Sequence, residues 1–245
     1  VPMTDRLADT RLGMLTPSSN TVLEPFTAAM LHDLPDVTAH FQRFRVVKIS
    51  MEDDSRGQFQ TEPMLEAAAL LAEARVQSIC WNGTSAGWLG FDTDRRLIAD
   101  IEARTGIAAC SCVLAINALF ERFGARRVAF VSPYLPEIQD AIVANYRAEG
   151  FEVTGERHLD DPGNFSFATY DAGHIAEMCR VVAADRPDAI AVFCTNFRGT
   201  GIAPIVEAET GIPVIDSISA ALWHSMRTAG ADPARVRGWG RLFDV

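Results

Sequence analysis

The sequence predicts an α/β fold of two pseudo-symmetric lobes, each a parallel sheet flanked by helices, with the active site in the cleft between them. Three observations predict it. Short apolar runs alternate with helical segments along the chain, and strands joined by helices of this length form parallel sheets with right-handed crossovers. The order of elements in the first half recurs in the second, since residues 12–16 run into Pro17-Ser18-Ser19-Asn20-Thr21 as residues 127–131 run into Ser132-Pro133-Tyr134. The repeat also shows in letters: Ala103-Arg104-Thr105-Gly106-Ile107 is matched by Ala208-Glu209-Thr210-Gly211-Ile212. The lobes are expected to span residues 1–124 and 125–245, the last helix being a candidate to pack back on the first lobe.

Residues 12–16 form a short apolar strand, and the turn after it is rich in side chains that hydrogen-bond backbone or anions. Helical spacing follows over residues 22–31, then a strand of alternating character over 37–49. Residues 51–61 are charged, with one glycine, and suit a loop that covers a pocket. The Ala- and Leu-rich segment 62–75 is a helix by propensity and pattern, and 76–81 is the third strand. A helix over 93–105 ends at Gly106, a residue suited to a left-handed cap. Residues 107–110 lead into an apolar helix through 123, and Gly124 closes the half. The second half repeats this with a helix over 135–149, a strand over 151–157, a polar loop over 160–167 and a helix over 170–184.

Composition narrows the partners. A net charge of −10 and a pI near 4.9 argue against nucleic acid or an anionic membrane, both of which need a basic face. The opening Val1-Pro2-Met3-Thr4-Asp5-Arg6 lacks the apolar stretch of a signal peptide, and no segment approaches the roughly 20 apolar residues of a bilayer span. A cytoplasmic location is expected. The five cysteines are an odd number and lie mostly in apolar runs, which suits reduced thiols. Cys110-Ser111-Cys112 has the wrong spacing for a CxxC pair. His158, His174 and His224 have no Asp, Glu or Cys cluster at ligand spacing, so no metal is expected. Gly199-Thr200-Gly201 lacks the rest of a dinucleotide fingerprint, so no cofactor is expected either. A homo-oligomer stays open.

The chemistry centres on Ala191-Val192-Phe193-Cys194-Thr195-Asn196-Phe197-Arg198-Gly199, an apolar run that stops at a thiol. Ligands in open α/β sheets bind outside the carboxyl ends of the strands, which would place Cys194 at a pocket. An equivalent stretch, Ser78-Ile79-Cys80-Trp81, runs into Asn82-Gly83-Thr84-Ser85, where Gly83 takes the place of Cys194. Two related strand ends would then face one site, with a thiol on one side.

These residues resemble the aspartate/glutamate racemase superfamily, in the branch containing arylmalonate decarboxylase and maleate cis-trans isomerase. The resemblance covers nearly the whole chain. The opening from Gly13 to Thr21 looks like a carboxylate-binding turn of the isomerases, which implies Pro17, Ser18 and Asn20 as substrate contacts. Gly83-Thr84-Ser85 looks like the segment with which the decarboxylase holds a substrate carboxylate. Tyr134 and Cys194 are similar to that enzyme's active-site tyrosine and single catalytic thiol. Gly211-Ile212-Pro213-Val214 and the Ser/Ala-rich helix after it complete the pattern. Two-thiol members of the superfamily carry Cys at both strand ends. Here the first position is Gly83, and Cys80 lies three residues earlier.

Loss of a proton or of CO2 beside a carboxyl group leaves an enediolate, whose charge needs preorganised donors. Thr84, Ser85, Tyr134, Thr195, Asn196 and backbone N–H groups after Cys194 are donors of the right kind. A thiol with pKa near 8.5 is mostly protonated at neutral pH and can give its proton to a carbanion. Ser18, Ser19 and Asn20 can hold a carboxylate or cap the following helix, and Arg198 can clamp a second carboxylate or sit at the surface. The leading expectation is a cofactor-independent decarboxylase of a small malonate-type dicarboxylic acid. The alternatives are a maleate-type isomerase or racemase and a non-catalytic carboxylate-binding protein.

Overall fold

The computed structural model describes residues 9–46 and 61–245. Residues 51–60 of the loop expected over 51–61, the last part of the strand expected over 37–49 and the first eight residues lie outside them, and Thr61 already begins a helix. Two four-stranded parallel sheets carry the molecule. The first has β1 (Thr10–Pro17), β2 (Val37–Phe44), β3 (Ser78–Trp81) and β4 (Ala109–Ser111) in the order β2-β1-β3-β4. The second has β5 (Arg127–Ser132), β6 (Glu152–His158), β7 (Ala189–Val192) and β8 (Val214–Asp216) in the order β6-β5-β7-β8. The identical order is the repeat expressed in space. Its register is tight: Trp81 lies between Leu15 and Ser111 as Val192 lies between Val131 and Asp216.

Helices cover both faces of each sheet, which is why β3 and β7 are buried at every position and read as continuous apolar runs. They are α1 (Leu23–Met30), α2 (Thr61–Glu73), α3 (Ala86–Leu89), α4 (Asp92–Thr105), α5 (Cys112–Arg122), α6 (Pro136–Ala148), α7 (Ala172–Ala183), α8 (Ala203–Thr210) and α9 (Ser217–Thr228). Gly106 and Gly211 end α4 and α8 with φ of 69° and 74°, the left-handed caps that the twin Thr-Gly-Ile pattern implies. The sequence did not announce the short α3. The strand before Cys194 stops at Val192, so the thiol stands two residues beyond the ladder rather than at its last position.

The lobes are joined by more than the chain. Helix α9 packs on β3, β4 and α5 of the first lobe, where Ser225 and Ser78 hydroxyls meet at 2.8 Å and the Cys112 thiol donates to the Ser217 carbonyl at 3.2 Å. Phe91 and Phe120 of the first lobe close edge-on against Tyr146 of the second, at centroid distances of 5.0 and 5.9 Å. The Tyr146 hydroxyl donates to Asn117 across the same seam. No helix among the described residues is long and apolar enough to cross a membrane.

Candidate active site

Strand β7 delivers its thiol by a simple device. Phe193 stays in the aromatic core, 5.8 Å from Phe130, and the next residue turns into the cleft. Cys194 lines a small cavity there with Gly83, Thr84 and Ser85 from the β3 end and Tyr134 and Thr195 from its own lobe. Pro17 lines it too. The free volume is about 20 Å³, the room of a single water molecule.

Burial pushes the Cys194 thiol up to about 12, against the lowering effect of hydrogen bonds from the Tyr134 hydroxyl and the Asn196 N–H. The latter lies 3.3 Å from Sγ. The group is therefore a neutral thiol near pH 7, and the same two donors stand ready for the thiolate it would become. Burial also raises Tyr134 well above an ordinary phenol, helped by the nearby Cys194. Its hydroxyl meets Thr84 Oγ1 at 2.5 Å, and its ring is wedged edge-on against Trp88 and Phe167. Among the described residues, the N–H groups of Gly83, Thr84, Ser85 and Thr195 have no hydrogen-bond acceptor. Among the described residues that line the cavity none is ionic, and Thr84, Ser85 and Tyr134 bring neutral donors to it.

Asn20, Ser18, Asn196 and Arg198 lie outside the cavity that holds Cys194. Asn20 is buried and bridges the lobes: its Nδ2 donates to the Thr195 carbonyl and Oγ1 at 3.0 and 3.2 Å, while its Oδ1 accepts from the Val22 and Leu23 N–H groups at the start of α1. Both amide ends are already bonded within the protein. Ser18 Oγ pairs with the backbone of Val46, and neither residue borders the cavity with Cys194. Asn196 holds Thr21 N–H and the Asn164 carbonyl. Arg198 is exposed and outside the cavity, because Phe197 before it is anchored in the core and turns its neighbour outward.

Gly83 lies under the indole of Trp81: a Cβ added there would lie 1.9 Å from Cζ2. Sequence reasoning missed Trp81, along with Val46, Trp88 and Asn164, which also line the cavity. For Trp81 the signal was present, because side chains two apart on an extended chain point the same way. For Val46 and Asn164, brought together by an Asn164 Nδ2 bond to the Val46 carbonyl, nothing local announced it. Among the described residues no three His, Cys, Asp or Glu side chains converge as metal ligands would.

The comparisons with known proteins agree with this geometry. A maleate isomerase of Pseudomonas putida is 27% identical over 247 residues, 95% of this chain and 96% of its own. Arylmalonate decarboxylase of Bordetella bronchiseptica is 27% identical over 186 residues, 75% of this chain and 78% of its own. The crystal structure of a substituted maleate isomerase from Pseudomonas putida S16 with maleate superposes with a TM-score of 0.85 at 26% identity, covering 96% and 97% of the two chains. The family model for arylmalonate decarboxylase matches residues 13–243, and this chain belongs to that family.

Proposed function

We propose that the protein is a cofactor-independent decarboxylase of a small malonate-type dicarboxylic acid, with Cys194 as its proton donor. One substrate carboxylate is held by Thr84, Ser85, the Tyr134 hydroxyl and the neighbouring N–H groups. The other faces the apolar side of the cavity formed by Val46, Trp81 and Trp88. The bond between it and the central carbon breaks, CO2 leaves, and the electron pair stays behind as an enediolate. The donors on the first carboxylate meet that charge as it forms, which is where electrostatic stabilisation lowers a barrier most. The Cys194 S–H then gives its proton to the carbon, and the thiolate is stabilised by Tyr134 and Asn196 N–H until a proton from water restores it. Protonation from one face yields one enantiomer.

The observation that carries this reading is the one thiol among the described residues that line the cavity: the equivalent strand end offers Gly83 under an indole. The direct test is release of CO2 from a panel of substituted malonates, and loss of it on Cys194→Ala. A panel that is not turned over at all sinks the proposal.

A second reading, a maleate-type isomerase, is supported by the end-to-end match to maleate isomerases. It requires Cys194 to work as a thiolate or to find an acid/base partner. Conversion of maleate to fumarate, or exchange of substrate hydrogen for solvent deuterium, by the unaltered protein would decide in its favour.

A further inference from the structure

We infer that Trp81 is a specificity-determining residue: its indole is a partition that limits the group a substrate carbon can carry on the side away from Cys194. This rests on the decarboxylase reading above for its substrates, and on geometry for its mechanism.

Trp81 is the last residue of β3 and projects to the same side as Gly83. The atoms Cζ2, Cη2 and Cε2 would lie 1.9, 2.4 and 2.5 Å from a Cβ on Gly83, so the six-membered ring covers the backbone there. Phe44 holds the ring from behind at a centroid distance of 5.2 Å. On one side the indole lines the cavity that holds Cys194. On the other it lines a second cavity of about 300 Å³ with Met64, Asp94 and Leu97, and Ser85 borders both. A space of about 20 Å³ is thus divided by one side chain from a space of a size that ordinarily holds a small ligand. With the ring in place, a substituent must fit beside Trp81; without it, a substituent reaches the second cavity.

The experiment compares the unaltered protein with Trp81→Ala and Trp81→Leu. Each is given methylmalonate and a malonate bearing a naphthyl group, and the ratio of kcat/KM for the large over the small substrate is measured. The ratio should rise about tenfold or more in Trp81→Ala, since one missing methylene in an apolar pocket already changes discrimination by about that factor. Trp81→Leu keeps more of the core filled and should shift the ratio the same way by less; it decides if Trp81→Ala does not fold. A ratio unchanged in a folded variant overturns the inference. Labelling of Cys194 separates this failure from that of the decarboxylase reading. If no malonate is turned over by any form, the rate with N-phenylmaleimide relative to iodoacetamide is compared instead, the labelled peptide being identified by mass. A relative rate that rises in the Trp81 variants supports the partition, and one that does not overturns it.

Discussion

The ends of β3 and β7 occupy equivalent places in two copies of one unit, yet only one carries a reactive group. The chain leaves β3 as Trp81-Asn82-Gly83-Thr84-Ser85 and β7 as Val192-Phe193-Cys194-Thr195-Asn196. The threonines match in position and in task, for each reaches into the opposite lobe: Thr84 to Tyr134, and Thr195 to the Asn82 carbonyl at 2.8 Å while accepting from Asn20. What differs is one residue earlier, glycine against cysteine, and two residues before that, indole against isopropyl. The bonds that hold the cleft together recur at both strand ends, while the thiol stands at one alone. A two-fold scaffold does not impose the same side chain on both halves.

The largest break in that comparison is removal of the thiol. Cys194→Ala should lower CO2 release by about 10²–10⁴-fold, the usual contribution of a positioned general acid. Thermal stability should change little, since the cavity left by one sulfur atom is small. A variant that retains full rate and enantioselectivity would assign protonation to another group. Next comes Tyr134→Phe, which removes the one hydroxyl proton that serves the thiol or, in the proposed reading, the substrate carboxylate, and leaves Thr84 Oγ1 without its partner. A loss of about 10²-fold in kcat is expected from one such donor, read by steady-state kinetics; a change in KM alone would confine Tyr134 to binding.

Most of the fold was legible in the sequence because its signals are local. The Ala- and Leu-rich helix expected over residues 62–75 is α2, and the twin Thr-Gly-Ile segments end helices in left-handed glycines. The site was legible only in part. Cys194, Tyr134, Thr84 and Ser85 were found through the repeat and the resemblance, and they do meet. For Asn20 and Ser18 the sequence left two roles, holding a carboxylate or capping the following helix, and Asn20 Oδ1 does accept from the first N–H groups of α1. Its bond to Thr195 forms only when the lobes meet, and that of Ser18 to Val46 joins residues 28 apart, so no local pattern announces either. Gly83 stands out in the sequence as the counterpart of Cys194, but the indole that crowds it does so only in the folded chain.

Gly83→Cys would restore the symmetry of the two strand ends, and the structure says what stands in the way. Overpacking of a filled site costs typically about 1–3 kcal/mol, occasionally more, so the single variant should melt below the unaltered protein in a calorimetric scan. Adding Trp81→Leu should recover part of that loss beyond simple additivity, because the two side chains compete for one volume. The double variant then has thiols on both faces of an enediolate, and racemisation of an α-substituted carboxylic acid should appear. A Gly83→Cys protein as stable as the parent would show that the indole moves aside freely, and the partition would lose its rigidity.

The smallest effect concerns two buried carboxylates, where the lobes again differ. Asp216 follows Ile215 on β8 at the position that Ser111 holds on β4, and each caps the helix after it. Asp216 Oδ1 accepts from Thr200 Oγ1 at 2.7 Å and from the N–H groups of Ile218 and Ser219, whereas Asp94, from α4, has the Ser111 hydroxyl; in each the Oδ2 has no partner among the described residues. Burial raises both, Asp216 to about 6 and the less well bonded Asp94 to about 7. A carboxyl raised on folding binds its proton more tightly in the folded state, so its folded form is most favoured below the unfolded value near 3.8 and loses ground as pH rises towards 7. Ideal linkage gives about 1.4 kcal/mol per pH unit over that window, and relaxation around the charge should bring the observable part to about 1 kcal/mol. Asp94→Asn keeps an acceptor for Ser111 and removes the titration. Its melting temperature should gain on that of the unaltered protein between about pH 5 and pH 8, while a difference that stays constant across that range would mean that Asp94 is already matched by a donor in the folded chain.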